Sequence, residues 1–281
     1  MVTLATVVAM TAFAANSLLC RLALAAGSID AAMFTLIRLS SGAAILLLLS
    51  WLSGRSEGRG AGNWLSGMML FIYAICFSLA YLDLSIGTGA LILFCAVQLT
   101  MIIAAIVSEE RPQLRQWLGL LTALAGFVYL VLPGLEAPSP LGSVLMALSG
   151  IAWGAYTLRG RGNADAVAAT TDNFVRAVPF MVVVGAILFR DAHATPRGII
   201  LAVISGALTS GIGYVIWYAA LRGLTATRAA SVQLTVPVIA ALGGLLFMSE
   251  GVSLRLAVAA VAILGGVGVV LAGKEAGVKA P

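Results

Sequence analysis

Ser78-Leu79-Ala80-Tyr81-Leu82, continued at Thr88-Gly89-Ala90, runs parallel to Trp217-Tyr218-Ala219-Ala220-Leu221, continued at Thr227-Arg228-Ala229, at an offset of 139 residues. Two further pairs keep almost the same spacing: Arg38 with Arg176 at 138, and Glu110 with Glu250 at 140. A near-constant offset over three separate stretches predicts a duplicated unit, residues 1–135 followed by residues 136–281. Val97-Gln98-Leu99-Thr100 and Val232-Gln233-Leu234-Thr235 are identical but offset by 135, out of step with their flanks, and are set aside as coincidence.

Composition supplies the solvent. Of 281 residues, 61% are hydrophobic and 10% charged, whereas soluble domains carry roughly a quarter of their residues as charges. So few charges cannot cover a surface against water, so lipid must surround most of the chain. A hydrocarbon core of roughly 30 Å takes about 20 helical residues per crossing. Apolar runs between polar or Gly/Pro breaks predict ten such segments. The first five are Leu4–Leu22, Ala31–Leu52, Trp64–Leu82, Thr88–Val107 and Leu114–Leu132. The second five are Leu141–Leu158, Asn173–Phe189, Ile199–Leu221, Ala229–Met248 and Leu254–Leu271. No room remains for a soluble domain. The opening MVTLATVVAMTAFAANS has no basic residue before Arg21, so it is read as the first membrane helix rather than a secretory signal.

Charge orients the segments. Arg55, Arg59, Arg111, Arg115, Arg159, Arg161, Arg222, Arg228, Lys274 and Lys279 fall on one side, against Arg21, Arg190, Arg197 and Arg255 on the other. The positive-inside rule makes the richer side cytoplasmic. Both termini are then cytoplasmic, as an even number of crossings requires. Each half has an odd number of segments, so the second enters the membrane inverted. Inverted repeats of this kind place a site near the bilayer midplane and allow it alternating access to the two faces. The expected fold is thus all-α and integral to the membrane, ten transmembrane helices forming two inverted-topology five-helix repeats around a central cavity.

Gly213-Tyr214-Val215-Ile216-Trp217-Tyr218-Ala219-Ala220-Leu221 with Thr227-Arg228-Ala229-Ala230 resembles the signature of EamA-type members of the drug/metabolite transporter (DMT) superfamily. Pro237, Gly243-Gly244 and Ser249-Glu250-Gly251 are similar to the family's ninth helix, Ala152-Trp153-Gly154 to its repeat start, and Arg38 to the arginine of its second helix. The third, fourth and sixth helices look most like those of the YddG-type aromatic amino-acid exporters. Two departures stand out: Ala15 with Asn16 where the family places a tryptophan, and Val97 where its fourth helix carries proline. The resemblance implies a bacterial inner-membrane exporter of aromatic or other neutral amino acids and similar small metabolites. A broader drug/metabolite exporter, or a proton-coupled one, is the alternative within the superfamily.

Arg38 and Arg176 are the two charges expected well inside helices. A buried arginine costs several kcal/mol unless it meets water or a partner. Arg38 could hold a substrate carboxylate by bidentate hydrogen bonds, or both arginines could snorkel to the headgroups. Aromatic residues recur at helical spacing: Tyr73, Phe77 and Tyr81 on the third helix, Tyr214, Trp217 and Tyr218 on the eighth, Trp153 and Tyr156 on the sixth. Phe94 and Gln98 lie one turn apart on the fourth helix. The candidate substrate-binding set is therefore Asn16, Arg38, Tyr73, Phe77, Phe94, Gln98, Trp153, Tyr156, Tyr214 and Trp217. Packing or an interfacial belt is the alternative for each aromatic, and the belt is favoured for Tyr81. Ala262, Gly265, Gly266 and Gly268 are expected to let the last helix pack closely.

The eleven carboxylates are expected at helix ends or in loops, so no central acid serves as a proton switch and transport should be facilitative or exchange-like. Cys20, Cys76 and Cys95 have no metal-type spacing, His193 is the lone histidine, and no nucleophile–base motif is present. An enzyme, a metal centre, a cofactor and a nucleic-acid partner are accordingly not expected. The partners are a small-molecule substrate and the bilayer, with the oligomeric state open and a monomer plausible.

Overall fold

The computed structural model describes residues 2–52, 62–107, 114–132, 134, 137–160, 165–188, 192–221 and 232–275. They form an all-α bundle. In chain order the helices are α1 (Val2–Ala25), α2 (Ala31–Leu52), α3 (Trp64–Ala80), α4 (Ile86–Val107), α5 (Leu114–Val131), α6 (Pro140–Gly160) and α7 (Ala166–Leu188). A continuous rod, α8, joins Pro196–Ile204, a π-helical stretch Ser205–Ile212, and Gly213–Leu221. α9 (Thr235–Met248) and α10 (Leu254–Glu275) complete the bundle among the described residues. Seven of these rods are long and apolar enough to span a membrane, while Trp64–Ala80, Thr235–Met248 and Leu254–Val270 are apolar but shorter. Trp51, Leu246 and Val261 are about three-quarters exposed, an apolar exterior that lipid covers and water would not tolerate.

Short polar residues start the helices. Asp30 accepts from Ala32 and Met33 N–H, Asn63 from Ser66, Asp165 from Val167 and Ala168, and Thr195 from Gly198. Each supplies an oxygen to first-turn donors that lack an intrahelical partner. This capping moves one boundary substantially. α7 begins at Ala166, not Asn173, because Asp165 caps it and the polar run Thr170–Asn173 stays helical against the α2–α3 connection. Gly62 N–H donates to Asp172 Oδ2 (3.1 Å) and Asn63 N–H to Asn173 Oδ1 (3.1 Å). Asp172 thus lies within α7 rather than at its end. It pairs with Arg176 at 3.0 Å, so Arg176 is a partly exposed, locally neutralised charge rather than a buried free one.

The connections gather at two ends of the bundle. At one end the α1–α2 and α7–α8 connections pair through a bridge between Ile29 and Ala194, with Thr195 N–H donating to Ser28 O (2.8 Å). There too, Arg21 meets Glu250 (3.3 Å) and donates to the carbonyls of Tyr81 and Leu82, while Ser139 donates to Asp83. At the other end Arg159, closing α6, donates to Ser66 and Asn63.

Inside, α3 and α4 pack on α6, α2 on α7 and on the π segment, and α1 on α8 and α9. α5 and α10 form a side pair reaching the rest mainly through α4. In that pair Gly266 faces backbone: a Cβ there would sit 2.5 Å from Gly119 O and 2.6 Å from Ala123 N. Ala262 likewise meets Gly126, whereas Gly265 and Gly268 have open space beside them. Only part of the expected small-residue set therefore serves helix packing. Glu110, Thr227-Arg228-Ala229-Ala230 and eight of the fourteen basic residues used for orientation (Arg55, Arg59, Arg111, Arg161, Arg190, Arg222, Arg228 and Lys279) lie outside the described residues.

Candidate functional site

The site is built where α2 crosses the π segment of α8. Gly206 allows the approach: a Cβ there would collide with Arg38 O and Ser41 Oγ. Gly42 faces the Phe174 ring and Gly211 faces Ile45 in the same seam. With no side chain between the backbones, Arg38 passes over the π segment and its Nε donates to Ser210 Oγ (3.2 Å). Arg38 is 1% exposed. Its Nη2 donates to the Tyr73 hydroxyl (2.9 Å), and the guanidinium lies over the Tyr73 and Phe77 rings, 5.1 and 4.9 Å from their centroids. Stacking of this kind attracts a cation to the ring faces. Nη1, also buried, has no partner.

Asn16 ties α1 into the same node. Its Nδ2 donates to Tyr73 Oη (3.3 Å), and its Oδ1 accepts from Ser205 Oγ (2.6 Å) and Thr209 Oγ1 (3.3 Å). Ser149 on α6 donates to the Tyr73 carbonyl (2.9 Å), fixing the backbone beneath the tyrosine. The Tyr214 hydroxyl lies beside Tyr73 and Arg38 without a hydrogen bond of full geometry.

Aromatic rings enclose the node. Trp153 sits at the centre, with ring centroids 4.9 Å from Tyr73, 4.8 Å from Tyr214, 5.6 Å from Tyr156 and 6.1 Å from Phe13. Phe13 also meets Tyr214 and Trp217 edge-on, and Phe77 joins Tyr73 to Tyr81. These rings come from α1, α3, α6 and α8, and they touch one another where an aromatic-lined cavity is expected. An apolar cleft of ≈ 710 Å³, lined by Ala96, Leu99, Ile103, Phe127 and Ile151, lies away from the node between α4, α5 and α6.

Eight of the ten candidates thus converge: Asn16, Arg38, Tyr73, Phe77, Trp153, Tyr156, Tyr214 and Trp217. Phe94 and Gln98 are buried on α4, and among the described contacts Phe94 joins none of the ring pairs. Tyr81 is a correction. It is fully buried, with its hydroxyl near Ile86 O (3.4 Å) and its ring edge-on to Phe77 at 4.8 Å, so it belongs to the interior and not to an interfacial belt. Sequence reasoning missed Phe13, Ser205, Thr209 and Ser210. Phe13 lies one turn before Asn16 on the same face, a signal that was present. Among the described residues, no group of three His, Cys, Asp or Glu side chains converges as a metal site would require.

The EamA-like transporter family model matches this chain twice, over residues 1–132 and 140–272. The chain belongs to that family. It is an integral membrane transporter rather than an enzyme. Its relatives include the uncharacterised protein PA1977 of Pseudomonas aeruginosa, 48% identical over 96% of this chain and 94% of that protein. The uncharacterised transporter YwfM of Bacillus subtilis is 28% identical over 82% of this chain and 81% of its own length. A solved crystal structure superimposes with a TM-score of 0.67 at 20% identity, covering 98% of this chain and 99% of the other, a likeness of fold.

Proposed function

We propose that this transporter is a secondary carrier that moves small amphipathic carboxylates, aromatic or other neutral amino acids and similar metabolites, outward across a bacterial inner membrane. In this reading all ten rods cross the bilayer as two inverted five-helix repeats, residues 1–135 and 136–281, with both termini cytoplasmic. The paired family matches support the duplication. The gathering of the α1–α2, α3–α4, α5–α6, α7–α8 and α9–α10 connections at one end supports alternate crossings.

The observation that carries the reading is Arg38, a buried cation with a free Nη1 inside a shell of aromatic rings drawn from both halves. A carboxylate on Arg38 and an apolar or aromatic body against Trp153 would satisfy both features. The ring contacts must part for a solute to enter, as alternating access around a central site demands. Asp30, Asp83, Asp165, Asp172 and Glu250 are all engaged away from Arg38, which supports facilitative or exchange-like transport. The test is counterflow of labelled aromatic and neutral amino acids and related carboxylates in proteoliposomes. Arg38→Ala and Trp153→Ala should each lower flux at least about tenfold; flux unchanged in both for every transported solute sinks the assignment.

A further inference from the structure

The polar groups of the node are unevenly divided between donors and acceptors. Arg38 Nη1 is buried without a partner, and the Tyr214 hydroxyl is buried beside Tyr73 without a hydrogen bond of full geometry. The oxygens are already in use: Asn16 Oδ1 accepts from Ser205 and Thr209, Tyr73 Oη from Arg38 and Asn16, and Ser210 Oγ from Arg38. No described carboxylate contacts Arg38. Asp30 and Asp165 cap helices, Asp83 accepts from Ser139, Asp172 pairs with Arg176, and Glu250 pairs with Arg21. The faces of Tyr73 and Phe77 that could attract a cation already carry the guanidinium.

We infer that the solute bound at this node is an organic anion without an ammonium group, an aromatic or apolar monocarboxylate, in preference to a zwitterionic amino acid. The inference rests on the carboxylate-anchor reading and narrows it. A buried guanidinium without a counter-ion gains most from a ligand of net charge −1, which neutralises it and fills Nη1. The hydroxyl of Tyr214 supplies a further donor to such an anion. An ammonium group on the same ligand would have to give up its water for the Tyr214 oxygen alone among these side-chain oxygens, the others already accepting, and it would sit in the field of Arg38. Unpaired burial of that kind is penalised.

The test uses the purified full-length protein in detergent and three probes of matched body: 3-phenylpropanoate, phenylalanine and 2-phenylethylamine. Binding is followed by quenching of tryptophan fluorescence and by thermal stabilisation. The expected order is 3-phenylpropanoate at least about tenfold tighter than phenylalanine, and 2-phenylethylamine weaker than both. Arg38→Gln should remove the preference for the anion, and Tyr214→Phe, which leaves the arginine in place, should weaken 3-phenylpropanoate several-fold. In proteoliposomes its uptake should respond to an imposed membrane potential, interior positive driving entry. Phenylalanine binding as tightly as 3-phenylpropanoate, or in its place, with loss in Arg38→Gln, overturns the anion preference and leaves the carboxylate anchor standing. Affinities indifferent to Arg38→Gln and Tyr214→Phe, or no binding of any probe, overturn both.

Discussion

Glu250 joins three elements, and its two oxygens have separable duties. Oε1 meets Arg21 Nε at 3.3 Å, linking α1 to the α9–α10 turn, while Oε2 accepts from the Ile86 N–H at 2.7 Å at the start of α4. Both side chains of the pair are nearly buried, 19% and 17% exposed. Exposed pairs contribute at most about 1 kcal/mol, and breaking fully buried ones costs about 3–5 kcal/mol. At this exposure about 1–2 kcal/mol is reasonable, because Arg21 keeps the Tyr81 and Leu82 carbonyls at 2.9 and 2.8 Å when the acid is removed. The bond to Ile86 acts as a helix cap, worth about 1 kcal/mol. Glu250→Gln leaves an amide oxygen for Ile86 and loses only the charge, so it should destabilise by about 1–2 kcal/mol. Glu250→Ala loses both and should cost about 2–3 kcal/mol. Reversible unfolding in mixed micelles of dodecyl maltoside and dodecyl sulfate measures both. A double-mutant cycle with Arg21→Gln should return a coupling of about 1 kcal/mol. Equal losses for the glutamine and alanine variants, or a coupling near zero, would refute this division of roles.

Two other expectations concern packing and the polar node. Gly266→Ala drives a methyl into the Gly119 carbonyl and the Ala123 amide, so it should cost about 1–3 kcal/mol. Gly265→Ala, with nothing within 4 Å, should shift stability by less than about 0.5 kcal/mol in the same unfolding assay. Tyr73→Phe removes the oxygen that Arg38 Nη2 and Asn16 Nδ2 share. It should destabilise by about 1–3 kcal/mol and lower counterflow beyond what the loss of folded protein explains.

The bundle was legible because its cause is local. Each rod is an apolar run closed by a polar or Gly/Pro break, and α2 and α5 begin where the pattern places them. α7 was misjudged because hydropathy reads Thr170-Thr171-Asp172-Asn173 as loop. Thr171, Asp172 and Asn173 instead bond to Ser50, Gly62 and Asn63, partners more than a hundred residues away in sequence. Tyr81 was misjudged for a related reason. Nearness to a helix end suggests an interface, but the α3–α4 turn tucks under Arg21 and Glu250, and the ring is enclosed. Arg38, Tyr73, Phe77 and Trp153 were visible as a rare charge and as aromatics at helical spacing, signals that survive any choice of neighbours.

The π segment explains why the rest of the node stayed hidden. On an α-helix of 3.6 residues per turn, Ser205 and Ser210 stand about 140° apart and would not share a partner surface. Widening the turn to i→i+5 hydrogen bonds brings residues five apart toward one face. Ser205 then reaches Asn16 while Ser210 reaches Arg38, and Tyr73 bonds to both of those residues. No 3.6-residue pattern could have grouped them. The same widening brings two consecutive polar residues, Thr209 and Ser210, inward, the one bonded to Asn16 and the other to Arg38. A helix that returned to α geometry here would have to turn one of them away, leaving a buried amide or guanidinium short of a partner. The irregular turn is therefore what lets a single rod of the second half supply hydroxyls to two helices of the first, and it is the element through which solute binding at Arg38 would be felt by both halves at once.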